Sequence, residues 1–207
     1  MAGVLPRVVL RTEAGAELPM LVWRLPAPAL AVASTALGGG IGLRHWVLNV
    51  SVPLSYRSED PDAHLSGLAR GQNLDGAGVG FLTGVDVRMW TVAADDGVTA
   101  VATVGVRKPE WAAAPDAPWS AAPGTINIVA FVPVRLSDAA LVNAVATVTE
   151  AKVQAMLDAG LPGTGTATDA VCVLCPPDGP AEQYGGPRSV WGARLARAVH
   201  RSVRAGC

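Results

Sequence analysis

The chain has 207 residues, with 16 Lys and Arg against 17 Asp and Glu and a formal net charge of -1. That length suits one domain with a real core, the near-neutral charge leaves no electrostatic footprint for nucleic acid, and 50% hydrophobic against 16% charged residues excludes a disordered chain. No uninterrupted apolar run of about 18 residues is present to span a membrane. Glu13, Glu17, Pro6 and Pro19 argue against a signal peptide, and three cysteines fit a reducing cytoplasm better than a disulfide scaffold.

Val4 to Thr12 alternates, Leu18 to Leu25 reads as a second strand, and the turn between them makes a hairpin that Pro26 and Pro28 end. Residues 1–30 are thus expected to be an extension packed on a main domain over 31–207. Leu30 to Ala33 leads into the permissive Gly38-Gly39-Gly40 loop. Trp46 to Val52 is a strand of mixed exposure, and Ser58 to Gly78 a helix followed by a loop. Val79 to Ala93 and Val98 to Val106 flank an Asp96-Gly97 hairpin turn. Lys108 to Pro123 holds four prolines and is read as an irregular connection. Thr125 to Val134 is a β-branched strand.

The clearest helix follows, with Ser137 as N-cap, Asp138 at its positive end, and Leu141, Val142, Val145, Val148 and Met156 at helical spacing. Gly160 and Pro162 stop it. Ala170 to Leu174 is a buried strand. Val190 to Val203 is a second helix with Leu195, Val199 and Val203 on one side and arginines elsewhere. Strands with segregated helices predict a single α+β domain with a largely antiparallel sheet and helices packed against it.

Several site types are excluded. No Gly-rich segment ends in Gly-Lys-Ser/Thr, and no Gly-x-Ser-x-Gly elbow occurs. Cys172 and Cys175 have CxxC spacing, but in a strand that separation puts them on opposite faces. With His45, His64 and His200 scattered, no enzyme metal is expected. His45 beside the glycine loop stays a minor site candidate.

Polar residues inside apolar runs are more informative. Burying one without a partner costs about 1–3 kcal/mol, so such residues serve a network or a site. Asn49, Asp86, Asn127 and Asp169 each interrupt or open an apolar run. On the first helix Lys152 projects from the apolar stripe beside Thr149, where a lysine either snorkels or faces a cleft. Glu150 lies toward Asn143, Thr147 and Gln154, a solvated face unless that stripe lines a pocket. The Gly163 to Asp169 run can present amides and hydroxyls to an oxyanion, or serve only as a linker.

An ordered series of segments resembles the adenosylcobinamide amidohydrolase family of corrinoid-salvage enzymes. The series is the Gly38-Gly39-Gly40 loop, Asn49, Val79 to Val87, Gly124 to Ile128, Thr149-Glu150-Ala151-Lys152, Gly163 to Asp169 and Tyr184-Gly185-Gly186. It runs from about Ala31 to His200, and seven segments in order are specific where any one is not. The chain departs from the common pattern at Gly84 and Val85, and at Gly163 and Ala167, while the polar members stand.

The resemblance implies hydrolysis of the amide joining aminopropanol to the corrin ring of adenosylcobinamide. It implies a cytoplasmic enzyme whose partner is a corrinoid small molecule, and whose only cobalt is the substrate's. Oligomeric state is left open. Amide hydrolysis needs a base, oxyanion donors and an acid for the leaving amine. Asp86, Glu150 and Asp169 are base candidates, and Lys152 is a candidate acid or oxyanion partner. Asn49, Asn127, Thr164 and Thr166 are candidate donors, and the resemblance adds Gly39, Gly40, Thr83, Thr149 and Tyr184 as substrate contacts. A threonine nucleophile rivals water, with Thr83, Thr125, Thr149 or Thr166 as candidates. Trp46, Trp90 or Trp191 could line a corrin pocket or simply pack the core. Alternatives are a non-catalytic corrinoid-binding protein and an amidase for another corrinoid, such as pseudocobalamin.

Overall fold

A computed structural model describes residues 5–13, 15–116 and 124–207. β1 (Arg7–Glu13) and β2 (Ala16–Ala33) form the expected hairpin, although Val4 and Ala14 lie outside the described residues. Pro26 and Pro28 do not end β2. They sit in a bulge between Arg24 and Ala29, where the ladder to β3 (Gly40–Ser51) shifts register and then resumes. A bulge absorbs prolines that have no amide to donate. β2 therefore carries the chain across residue 30 within one sheet.

The N-terminal half of β3 is largely exposed, but Trp46 to Ser51 is buried throughout, against the mixed exposure expected. α1 (Pro61–Gly71) starts on Asp60, whose side chain accepts from the Ala63 amide. The apolar run from Val79 is shorter than expected. β4 (Gly78–Thr83) stops, Asp86 caps a 3-10 turn over Val87–Met89, and β5 (Thr91–Asp95) begins anew. Asp96 and Gly97 both take positive φ, which the tight turn into β6 (Val98–Gly105) requires. Of the connection that follows, 117–123 lies outside the described residues.

β7 (Thr125–Phe131), α2 (Asp138–Asp158), β8 (Ala170–Cys175) and α3 (Val190–Gly206) complete the chain. Ser137 caps α2 by accepting from the Ala140 amide. Val142, placed in the apolar stripe from sequence, is 60% exposed. The buried face runs instead through Leu141, Ala144, Val148, Ala151 and Ala155.

The sheet runs β4-β3-β2-β8-β7-β6-β5, with β1 paired to β2. β3 with β4 and β7 with β8 are parallel, and the other pairs are antiparallel. α2 and α3 cover Ala100, Ile126, Ile128 and Val173 on one side, and α1 packs by Leu65 against Met20, Trp46 and Leu48. A third cluster joins Trp23, Val47 and Phe81 to Val101, Val129 and Leu174, from both ends of the strand order. Asn49 on β3 also bonds Asn127 on β7, although β2 and β8 lie between them. The sheet is curled, and its two halves meet across that interior.

Candidate active site

Four donors converge on one carboxylate. Asp169 closes the Gly163 to Thr168 loop just before β8. Its Oδ1 accepts from the Thr166 hydroxyl at 2.5 Å and the Ile126 amide at 2.9 Å. Its Oδ2 accepts from Lys152 Nζ at 2.5 Å and the Thr166 amide at 3.1 Å. Side-chain exposures of 9% for Lys152 and 11% for Asp169 make this a buried ion pair, whose partners compensate each other. Of the two readings open for Lys152, the structure shows a side chain turned inward to a specific partner.

Gly165 makes room for the pair. A Cβ at that position would meet Asp169 Oδ2 and stand 2.6 Å from Lys152 Nζ. The loop is held from outside by the segment after β6. The Glu110 amide donates to Gly165 O at 2.9 Å, the Thr164 amide donates to Glu110 O at 2.8 Å, and the Ala112 amide donates to Thr164 Oγ1 at 2.8 Å. Thr164 thus fastens the loop to its neighbour.

Asp169 and Asn127 are also walls of one cavity of about 440 Å³, shared with Ser34, Thr35, Leu82 and Thr168. Behind them a buried polar network fills the curl of the sheet. Asn127 Nδ2 donates to Asn49 Oδ1 at 3.0 Å and to Leu82 O at 3.3 Å, and Asn49 Nδ2 donates to Thr103 Oγ1 at 2.9 Å. Thr125 Oγ1 donates to Thr168 O at 2.8 Å and ties this network to the Asp169 loop. Asn49, Thr103, Thr125 and Asn127 are all buried. Thr103 joins the site only in the fold, although a polar residue within apolar β6 carries the same signal as Asn49. Gly165 was legible only as part of the Gly/Thr run.

The other candidates do not bond to the Asp169 carboxylate. Asp86 is exposed and bonds Arg88 two residues on, at 2.6 Å. That guanidinium holds its carboxyl below the usual carboxylate range. Glu150 and Thr149 are on the solvent face of α2, where Thr149 bonds back to Val145 O. Thr83 is buried, its hydroxyl accepting from the Val85 amide. Gly39 abuts the Thr35 carbonyl at the cavity rim, where Arg44 holds the loop through Gly38 O and Gly39 O. Gly40 takes positive φ in the same loop, and His45 packs on Gly76. Tyr184 is 75% exposed, and the loop after it is pinned to α2 by Thr147 donating to Gly185 O.

None of the three tryptophans lines the cavity. Trp46 donates to Gly76 O from the core, Trp90 packs on the interior cluster, and Trp191 stacks under Arg194. Cys172 and Cys175 belong to clusters on opposite faces of β8, as their spacing required. Burial pushes the Cys172 thiol up to about 12. Among the described residues, no helix is long and apolar enough to cross a membrane.

A model of the family described as adenosylcobinamide amidohydrolase matches residues 5–207. A protein of that name from Methanosarcina mazei is 34% identical over 182 residues, 84% of this chain and 88% of its own. Another of that name, from Halobacterium salinarum, is 33% identical over 195 residues, 89% and 83% of the two chains. Among solved structures, the PH0078 protein from Pyrococcus horikoshii is similar at a TM-score of 0.46 and 10% identity, over 98% of this chain and 82% of that one. A match along nearly the whole length, with two relatives above 30% identity, shows that the chain belongs to the adenosylcobinamide amidohydrolase family.

Proposed function

We propose that this protein hydrolyses the amide between aminopropanol and the corrin ring of adenosylcobinamide, releasing adenosylcobyric acid and 1-amino-2-propanol in the cytoplasm. Family membership supplies the substrate. The observation that supports the chemistry is the Thr166 hydroxyl, which donates to Asp169 Oδ1 at 2.5 Å beside the buried Lys152. Of the four threonines considered as nucleophiles, it alone has its hydroxyl on a carboxylate. Thr149 bonds a helix carbonyl, Thr125 bonds Thr168 O and Thr83 accepts from an amide.

The nucleophile-and-base arrangement gives a balanced sequence. Thr166 Oγ1 attacks the amide carbon while its proton passes to Asp169. That proton goes to the departing nitrogen, and the C–N bond breaks to free aminopropanol. Water then cleaves the Thr166 ester, giving the carboxylic acid and restoring the hydroxyl. Asp169 suits this role better than direct activation of water, because its other positions are taken by Lys152 and two backbone amides. Lys152 positions the carboxylate. The cobalt stays with the substrate, and no cofactor of the protein enters this scheme.

The cavity, at about 440 Å³, lies toward the lower end of the range for drug-sized ligands, roughly 300–1,000 Å³. Thr166 and Lys152 are not among its lining residues, and Asp169 connects them to it, so the scissile amide is placed at the Asp169 edge of the cavity with the corrin ring across its mouth. The test is incubation of purified protein with adenosylcobinamide and mass-spectrometric detection of both products. Equimolar release supports the reading. A corrinoid that binds and is recovered intact supports a non-catalytic binding protein instead.

A further inference from the structure

A carbonyl fixes which way the Asn127 amide points. Leu82 O, 3.3 Å from Nδ2, can only accept, so nitrogen must face it. The same nitrogen faces Asn49 Oδ1 at 3.0 Å, and Asn49 in turn presents its own nitrogen to Thr103 Oγ1 at 2.9 Å. Both hydrogens of the Asn127 amide are therefore occupied inside the protein.

Oδ1 is what remains. Its neighbour is Thr125 Oγ1 at 3.4 Å, a hydroxyl with one hydrogen that Thr168 O takes at 2.8 Å. Asn127 is 2% exposed and forms part of the cavity wall together with Thr168. Among the described residues, the only donor to Oδ1 is thus that long contact from a hydroxyl already engaged elsewhere, which leaves a buried, weakly matched acceptor beside the cavity. Buried polar atoms in that condition are uncommon unless a water, an ion or a bound ligand completes them.

We infer that Asn127 Oδ1 recognises a hydrogen-bond donor on the ligand's amide arm, making this residue a determinant of specificity. The inference rests on the proposed hydrolase reading for the identity of the arm, and on geometry alone for the acceptor. It reverses the sequence expectation, in which Asn127 donates. Two groups on the arm share the needed chemistry, the N–H of the scissile amide and the hydroxyl of the aminopropanol. In both cases the site favours a secondary amide carrying a hydroxylated amine over an arm that lacks the donor.

The test uses the unaltered protein and three ligands: adenosylcobinamide, its propylamide analogue without the hydroxyl, and a ketomethylene analogue with CH2 in place of the N–H. Binding is read by stopped-flow tryptophan quenching before turnover. Removing the recognised donor is expected to raise Kd by about 10- to 100-fold, because it leaves a buried acceptor unmatched. A loss with the propylamide assigns the hydroxyl, and a loss with the ketomethylene compound assigns the N–H. In Asn127→Ala, checked for folding by its melting curve, the discrimination is expected to fall within about threefold.

Equal affinity of the unaltered protein for all three ligands would overturn the inference, whether or not the variant folds. Failure to bind adenosylcobinamide would overturn it as well. The outcomes separate the two proposals, since binding without cleavage rejects the reaction while the affinity ratios still report on Asn127.

Discussion

Asp169 and Asp86 look alike as sequence, each an acidic residue breaking or opening an apolar run. In the fold they part company. Asp169 is enclosed, meets four donors and borders a cavity. Asp86 has a side chain 42% exposed and pairs with Arg88 of the turn it caps. The lesson concerns dielectric as much as position. A carboxylate shielded from water can hold a neighbouring hydroxyl in a fixed geometry, whereas one in solvent mostly holds its own turn.

Breaking the enclosed side of that comparison should have the largest effects. Thr166→Val removes the hydroxyl while nearly preserving shape, and turnover of adenosylcobinamide is expected to fall by at least about 10²-fold. Thr166→Ser should keep a measurable fraction of the rate, which a purely structural role would not require. Lys152→Ala leaves a buried carboxylate without its counter-charge. Chemical denaturation should show a loss of about 3–5 kcal/mol. Gly165→Ala forces a methyl against the ion pair and should cost about 1–3 kcal/mol, with turnover reduced as the pair shifts.

The solvent side should be nearly silent. Asp86→Asn is expected to change stability at neutral pH by no more than about 0.5 kcal/mol. Its pH signature has a definite sign. The bond from Arg88 depresses the folded-state pKa. The stabilisation it brings is present above the unfolded value near 3.9 and lost as pH falls through the depressed one. Acid titrations of the two proteins should therefore converge at the low end.

What the sequence disclosed follows the range of the forces involved. Ser137 capping α2, the Asp96-Gly97 turn and the opposed faces of Cys172 and Cys175 are set by residues within a turn of one another, and they were legible. In sequence Pro26 and Pro28 look like a stop, because nothing local shows that β3 resumes pairing beyond the bulge. Asn127 and Asp169 were visible as polar anomalies, and so was Asp86. Separating them needed the curl that brings β3 to β7, and the clamp from Glu110 on Gly165. The direction of the Asn127 amide was out of reach, since it depends on the carbonyl of Leu82, 45 residues away.

The comparison is decided most directly by one paired assay, aminopropanol release from adenosylcobinamide by Asp169→Asn beside Asp86→Asn, each confirmed folded by circular dichroism. The expected rate is at least about 10²-fold below the parent for the enclosed position and within about threefold of it for the exposed one. Equal losses at both positions, or a loss at Asp86 alone, would contradict it.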